Sequence, residues 1–267
     1  MRAASIALNV FRESVRDKVL YSLVAFAILL IAASYLLGQL TAGQDVKIIK
    51  DLGLAAIATI GLLIAVFIGV GLVWKEVEKR SIYSLLAKPV TRRDVVLGKY
   101  VGLVFTLAVN VAVMTAAFYT VLAIMGRAAS PEAARGWAAP ATDPRLLIAI
   151  LLIFVELLLV TAIALFFSTF SSPFLAATLT LGLWVIGHFN ADLRNFESVV
   201  TSPLVVGITR GLYYVLPDFA AFDVKAQVVW GQPVSPGYVA GTALYGVVYV
   251  LFLLAAATTV FARRDFK

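Results

Sequence analysis

The chain has 267 residues, a net charge of +7 and an apolar content of 62%, and only 14% of its residues are charged. Soluble domains contain about half apolar and about a quarter charged residues, so this composition excludes a water-soluble fold and predicts an all-α membrane protein. Cysteine is absent, which excludes disulfides and thiolate metal sites.

Residues 1–18 predict an amphipathic helix that lies on the membrane surface. The alternative is a plain cytoplasmic extension of the first span. One face carries apolar side chains at helical spacing, and another face carries polar ones. The apolar set is Ala4, Leu8, Phe11, Val15 and Val19, and the polar set is Arg2, Asn9, Arg12 and Arg16.

Six stretches are apolar and long enough to predict transmembrane helices, since a span needs about 20 residues to cross about 30 Å of hydrocarbon. The first is long enough to span and lacks a cleavage-like site, so we predict a retained helix and not a signal peptide. The fifth is the shortest. The whole chain, residues 1–267, is predicted as one transmembrane domain with spans at 19–40, 52–73, 101–125, 146–170, 174–189 and 238–262.

Three dipeptides predict where spans begin. Each places a capping side chain before a proline, which is tolerated at the first helical position because its missing N–H has no partner there. Asp143-Pro144, Ser172-Pro173 and Ser235-Pro236 mark the fourth, fifth and sixth spans in this way.

The distribution of basic residues predicts the orientation. Fourteen of the 22 Lys and Arg residues fall on the side that holds both termini and residues 74–100, and eight fall on the other. Because cytoplasmic loops carry the excess of Lys and Arg, we expect both termini to be cytoplasmic. The positive charge then faces the inner leaflet, and no nucleic-acid-binding motif accompanies it.

The segment between the fifth and sixth spans, residues 190–237, is too apolar for a plain loop. Within it, residues 203–216 contain a single charge, Arg210, and are too few to span. Non-helical backbone at membrane depth is tolerated only against protein or a cavity. We therefore predict a re-entrant or interfacial segment.

Small residues recur every four positions in the second span, at Gly61, Ala65 and Gly69. Such a stripe lets another helix approach closely. We interpret it as packing within the subunit and not as a dimer contact.

Glu156 is the one carboxylate among fifteen that falls within a predicted span. Intramembrane charges usually face the bundle or a wet cavity. Either Glu156 belongs to a substrate or proton path, or it bonds Asn110 or another buried donor and locks helices together. We expect the second, because no titratable neighbour is evident within the spans.

Catalytic and metal sites are not indicated. His188 is the only histidine, so a multi-histidine metal centre is not supported. His188 with Asp192 lacks the Gly-x-Ser-x-Gly elbow of a hydrolase, and a structural or interfacial role is expected for it. We predict no cofactor.

The basic stretch at residues 74–100 is too charged to lie in lipid. It carries seven Lys and Arg residues together with Glu76, Glu78 and Asp94. Pro89 stops whatever helix precedes it, and Thr91 with Asp94 resembles a capping box. The sequence therefore predicts a short helix, a break and the start of the third span.

This stretch resembles the first cytoplasmic loop of permease subunits of type-2 ATP-binding-cassette (ABC-2) transporters. The similarity is carried by Lys-Glu-x-Glu-Lys-Arg-Ser-Ile at 75–82, Leu-Leu-Ala-Lys-Pro-Val at 85–90 and Gly98-Lys99. It extends to RESVRDKVLY at 12–21, to the six spans and to FSTFSSP at 167–173.

The resemblance implies a half-transporter of two membrane subunits with two separate ATPase subunits. In that family the loop forms a coupling helix that docks on the ATPase. The residues that would do so here are Glu76, Glu78, Lys79, Arg80, Ile82, Leu85 and Leu86. A simple positive-inside anchor is the alternative, but the acidic pair and the apolar side chains disfavour it.

ATP hydrolysis is expected on a partner. A phosphate-binding loop needs Gly-x-x-x-x-Gly-Lys-Ser/Thr, whereas Arg93 replaces the first glycine before Gly98-Lys99 and Tyr100 follows. The chain is thus predicted to be a non-enzymatic permease subunit of an exporter in a prokaryotic inner membrane, paired with a second permease.

Two other functions stay open. One is a scaffold or mechanotransmission subunit of an ATPase-driven complex that does not transport, and the other is a passive channel. The sequence does not identify the cargo, although the scarcity of charge in the spans favours an amphiphilic or apolar molecule.

Overall fold

The computed structural model describes residues 2–39, 45–78, 92–190, 205–207, 211, 213 and 215–263. These residues form helices and connecting turns, and none of them belongs to a β-strand. The predicted all-α fold is confirmed.

Nine helices of five residues or more are described, together with a 3-10 turn at Ala220–Phe222 between the seventh and eighth. In chain order they are α1 (Arg2–Val15), α2 (Lys18–Gln39), α3 (Asp45–Glu78), α4 (Arg92–Ala128), α5 (Pro131–Arg135), α6 (Leu146–Ser168), α7 (Pro173–His188), α8 (Lys225–Val229) and α9 (Pro236–Arg263).

Five of the described helices, α2, α3, α4, α6 and α9, are long and apolar enough to cross a membrane. They coincide with five of the six predicted spans. The remaining one, α7, has 16 residues and is about 24 Å long at 1.5 Å per residue. It lies where the fifth span was predicted, and its role as a complete span stays a prediction.

Helix α6 lies at the centre of the bundle. It contacts α3, α4, α7 and α9, and most of its side chains are buried. A helix that is apolar all round is stable only when it is enclosed. We call the side of the bundle where α2 begins and α3 ends the N-terminal face, and the opposite side the far face.

The small-residue stripe of α3 packs against α6. A Cβ atom added to Gly61 would lie 2.5 Å from Leu157 Cδ1, and one added to Gly69 would lie 2.7 Å from Ala164 Cβ. Ala65, between them, is buried. The prediction of packing within the subunit is confirmed.

The proline-marked helix starts are close to those predicted. Helix α7 begins at Pro173 and α9 at Pro236, and Ser235 Oγ accepts a backbone hydrogen bond from the first turn of α9. At the fourth span, Pro144 lies in a turn and α6 begins at Leu146.

Helix α1 is separate from the first span and packs against α4. It ends at Val15, and α2 begins only at Lys18, so a plain extension of the span is not observed. Ala7 and Val10 are buried against α4, where a Cβ on Gly102 would lie 2.6 Å from the Ala7 carbonyl oxygen.

The predicted apolar stripe of α1 is therefore not the face that the protein buries. Leu8, a member of that stripe, is 50% exposed. Its exposure is compatible with the predicted contact with the membrane surface, because an apolar side chain free of protein can enter the lipid interface.

The far face contains a buried cation that the sequence analysis did not single out. Lys50 is 1% exposed, and its Nζ donates to the carbonyl oxygens of Pro140 at 2.7 Å and Ala139 at 3.5 Å. Nearby, Lys47 Nζ lies 3.7 Å from the centre of the Trp230 ring. These contacts fasten the loop after α5 to the far end of α3.

Candidate functional site

The centre of the candidate site is Glu156, in the middle of α6. It is 7% exposed and lies about 15 Å along the helix from Leu146. Its Oε1 accepts a hydrogen bond of 2.7 Å from Trp184 Nε1 on α7. The carboxyl group therefore joins two neighbouring helices at mid-membrane depth.

His188, one turn beyond Trp184, completes the cluster. Its Nε2 lies 3.8 Å from Glu156 Oε1, so our expectation that Glu156 has no titratable neighbour is wrong. Its Nδ1 lies 3.1 Å from the Trp184 carbonyl oxygen. A carbonyl oxygen can only accept, so this contact assigns a proton to Nδ1.

That assignment leaves Nε2 facing the carboxyl group. The pair can hold a proton on Glu156, with neutral imidazole, or on His188, as an imidazolium–carboxylate pair. The cluster can thus lock helices, as expected, and it also offers a second location for a proton, which the expectation lacked.

Asn110, the other intramembrane polar residue of the prediction, does not join this cluster. It is 5% exposed, and its Nδ2 donates a 2.6 Å hydrogen bond to the Thr106 carbonyl oxygen one turn earlier in α4. The suggested pairing of Glu156 with Asn110 is wrong. The donor to Glu156 is Trp184, which belongs to a different helix.

The chain arrangement offers a signal that sequence reasoning missed. Helices α6 and α7 are joined by a short turn, and Glu156 precedes the end of α6 by about as many residues as separate Trp184 from the start of α7. Residues equidistant from such a turn meet in an antiparallel pair. The hairpin therefore places Trp184 and His188 beside Glu156.

The cluster is closed toward the far face by residues 217–222. Phe219 stacks on the His188 ring, with centroids 5.9 Å apart and planes at 12°, and Phe219 N donates to the Gly187 carbonyl oxygen at 3.1 Å. A Cβ on Gly187 would lie 2.6 Å from the Pro217 carbonyl oxygen. We call residues 217–222 the roof segment.

The predicted coupling residues lie at the other end of the bundle. Glu76 and Glu78 belong to the last turn of α3. The other five lie outside the described residues, and their role stays a prediction. They are Lys79, Arg80, Ile82, Leu85 and Leu86. The re-entrant prediction for 203–216 also falls mostly outside the described residues.

A comparison with protein families identifies the kind of molecule. The family model described as ABC-2 family transporter protein matches residues 4–266. The chain belongs to the ABC-2 transporter family. A search of curated proteins gave no match.

Membership confirms the resemblance that the 74–100 stretch indicated. The chain is a multi-pass membrane protein and a permease-type subunit of an ABC transporter, and the family assigns it the membrane part and not the catalytic part. The family also implies an ABC ATPase as its partner.

Proposed function

We propose that this chain is the membrane-spanning subunit of an exporter, and that separate ATPase subunits drive it through residues 74–100. The family match over residues 4–266 carries this proposal. Docking of the ATPase would involve the charged residues Glu76, Glu78, Lys79 and Arg80 and the apolar residues Ile82, Leu85 and Leu86.

The helices on either side of this loop support a mechanical role. Helix α3 has 34 residues and α4 has 37, which correspond to about 51 Å and about 55 Å. Both exceed the roughly 30 Å of hydrocarbon, so they extend beyond the membrane. They also pack against each other and against α6. A force on the loop between them would tilt this packed unit.

The assembly that we propose contains a second permease subunit, identical or different, in a prokaryotic inner membrane with both termini cytoplasmic. Within the described residues, α2 and α9 are the two spans with the smallest buried share. Their apolar outer surfaces are suited to lipid or to a second subunit.

Within this subunit we propose that Glu156 and Trp184 hold α6 and α7 together while the bundle moves. A hydrogen bond with an ionisable acceptor is stronger than one between neutral groups. Its location in the enclosed centre of the bundle protects it from competition by water.

Photocrosslinking tests the docking proposal directly. A photoreactive amino acid at position 85 is compared in native membranes with one at Ala134, an exposed residue of α5. We expect the first to capture a protein that contains Gly-x-x-x-x-Gly-Lys-Ser/Thr and the second not to. The absence of such an adduct at positions 82, 85 and 86 would contradict docking.

Transport itself needs a second measurement. Vesicles that contain the purified complex should accumulate cargo from extracts only when ATP is supplied. ATP hydrolysis without any accumulation would instead favour the scaffold function.

A further inference from the structure

A cavity of about 430 Å³ opens beside the roof segment, between the end of α7 and the first turns of α9. It is separate from the Glu156 cluster, which lies deeper in the bundle. Its polar and aromatic lining consists of Asn190, Tyr213, Asp218, Thr242, Tyr245 and Tyr249.

Two oxygen atoms of this lining lack the hydrogen bonds that buried polar atoms normally make. Asn190 Oδ1 and Asp218 Oδ1 are both buried, and neither has a hydrogen-bond partner in the part of the chain that the structure describes. Asn190 as a whole is 4% exposed. Both oxygens are acceptors that are available to a donor in the cavity.

The backbone around these acceptors is held in place. Asp218 N donates to the Tyr245 hydroxyl at 2.9 Å, and the next residue, Phe219, donates its N–H to the Gly187 carbonyl oxygen. A ligand therefore meets a preformed site, which lowers the entropic cost of binding.

The chemistry of the lining selects a cationic donor. The described lining contains one carboxylate and no Lys or Arg. An ammonium group offers three N–H donors and needs no acceptor of its own, and the faces of tyrosine rings attract cations. A neutral hydroxyl could satisfy the same oxygens but would gain nothing from the carboxylate.

The depth of the cavity indicates an apolar tail on the ligand. Helix α7, about 24 Å long, ends short of the full hydrocarbon thickness, and Asn190 follows it closely. Val215 is 72% exposed and Leu244 is 64% exposed on the elements that form the cavity. Exposed apolar side chains at this level adjoin lipid.

We propose that this cavity binds the ammonium head of an amphiphilic primary amine, with Asp218 Oδ1 and Asn190 Oδ1 accepting its N–H bonds. The amine can belong to a membrane lipid, such as phosphatidylethanolamine, or to a free amphiphile. The inference goes beyond the proposed function and does not depend on it, because binding needs no ATPase.

Binding of radiolabelled dodecylamine to the full-length protein in phosphatidylcholine nanodiscs tests the site. We expect saturable binding to one site per chain, competition by unlabelled dodecylamine and none by dodecanol, which has the same tail. Asp218→Asn should raise the dissociation constant at least tenfold. Asp223→Asn, a change of the same kind at an exposed residue outside the lining, should change it less than twofold.

A second variant guards against loss of folding. Asn190→Leu keeps the side-chain size but removes the acceptor, and it should weaken binding several-fold while thermal melting shows an intact fold. Saturable binding that neither Asp218→Asn nor Asn190→Leu weakens would overturn the proposal. Absence of saturable binding would also overturn it and would indicate a cavity that holds water only.

Nanodiscs that contain phosphatidylethanolamine separate the two sources. If the lipid occupies the site, it raises the apparent dissociation constant of dodecylamine in the wild type, and it co-purifies less with Asp218→Asn. If it leaves the dissociation constant unchanged while dodecylamine still binds, the ligand is a free amphiphile. Either result supports recognition of the ammonium group.

Discussion

Trp184 Nε1 donates a hydrogen bond of 2.7 Å to Oε1 of Glu156, and this bond joins α7 to the central helix of the bundle. Both partners come from otherwise apolar helices, where each would be costly without the other. The pair is therefore the clearest polar constraint on how these two helices move together.

Substitution of Glu156 tests whether the pair stabilises the fold. Glu156→Gln retains an acceptor for Trp184, so near-normal thermal melting and transport are expected. Glu156→Leu leaves the indole N–H unpaired and should cost about 1–3 kcal/mol. If Glu156→Gln instead abolishes transport with stability intact, Glu156 belongs to a cargo or proton path.

A double-mutant cycle assigns the bond to its two partners. Trp184→Phe removes the donor, so adding it to Glu156→Leu should cost less than adding it to the wild type. Additive losses in the free energy of unfolding would contradict a direct interaction. Asn110→Ala, on a different helix, should be additive with Trp184→Phe.

The close contact between α7 and the roof segment predicts the effect of Gly187→Ala. The new Cβ would lie 2.5 Å from the Phe219 ring and 2.6 Å from the Pro217 carbonyl oxygen, so the roof segment must shift. Overpacking of this kind costs about 1–3 kcal/mol, measurable by thermal melting.

Gly182→Ala is the matched control on the same helix. A Cβ at position 182 has no atom within 4 Å, and alanine favours helix over glycine by up to about 1 kcal/mol. We expect unchanged or increased stability. Equal destabilisation by both variants would show that Gly187 matters for α7 itself and not for the roof segment.

Lys50 provides a test at the far face. Lys50→Met keeps the apolar stem but removes the donor to the Pro140 and Ala139 carbonyl oxygens, and it should cost about 1–3 kcal/mol. Lys47→Met removes a cation–π contact with Trp230, which contributes about 0.5–1 kcal/mol at an exposed site. A larger loss for Lys47→Met in thermal melting would refute this ranking.

Orientation is testable because the chain has no cysteine. Single cysteines at the exposed positions Ala134 and Gln227 should react with an impermeant thiol reagent added to intact cells. A cysteine at Ser84 should react only after the cells are opened. Labelling at position 84 from outside would reverse the predicted topology.

Much of the fold follows from the sequence because hydrocarbon demands long apolar helices. Five spans and two of the proline-marked starts, at Pro173 and Pro236, were predictable in this way. The face of α1 that contacts protein was not, because its apolar residues meet lipid on one side and α4 on the other. Hydrophobicity does not distinguish these two apolar environments.

The polar cluster was predictable only in part. Glu156 was identified because a carboxyl group in a span is rare, but its partners depend on which helices are neighbours and on their register. The buried Lys50 was not identified, since its place at the end of a span resembles an interfacial cation until the covering carbonyl groups are known.

The central claim, that residues 74–100 couple this subunit to an ATPase, is tested most directly by measuring ATPase association and ATP-dependent transport in two variants. Glu78→Lys and Leu85→Asp should each weaken association or uncouple hydrolysis from transport while the subunit remains inserted. Glu132→Lys, a matched charge reversal at an exposed residue of α5, should leave both unchanged. Normal assembly and normal transport in Glu78→Lys and Leu85→Asp would contradict the claim.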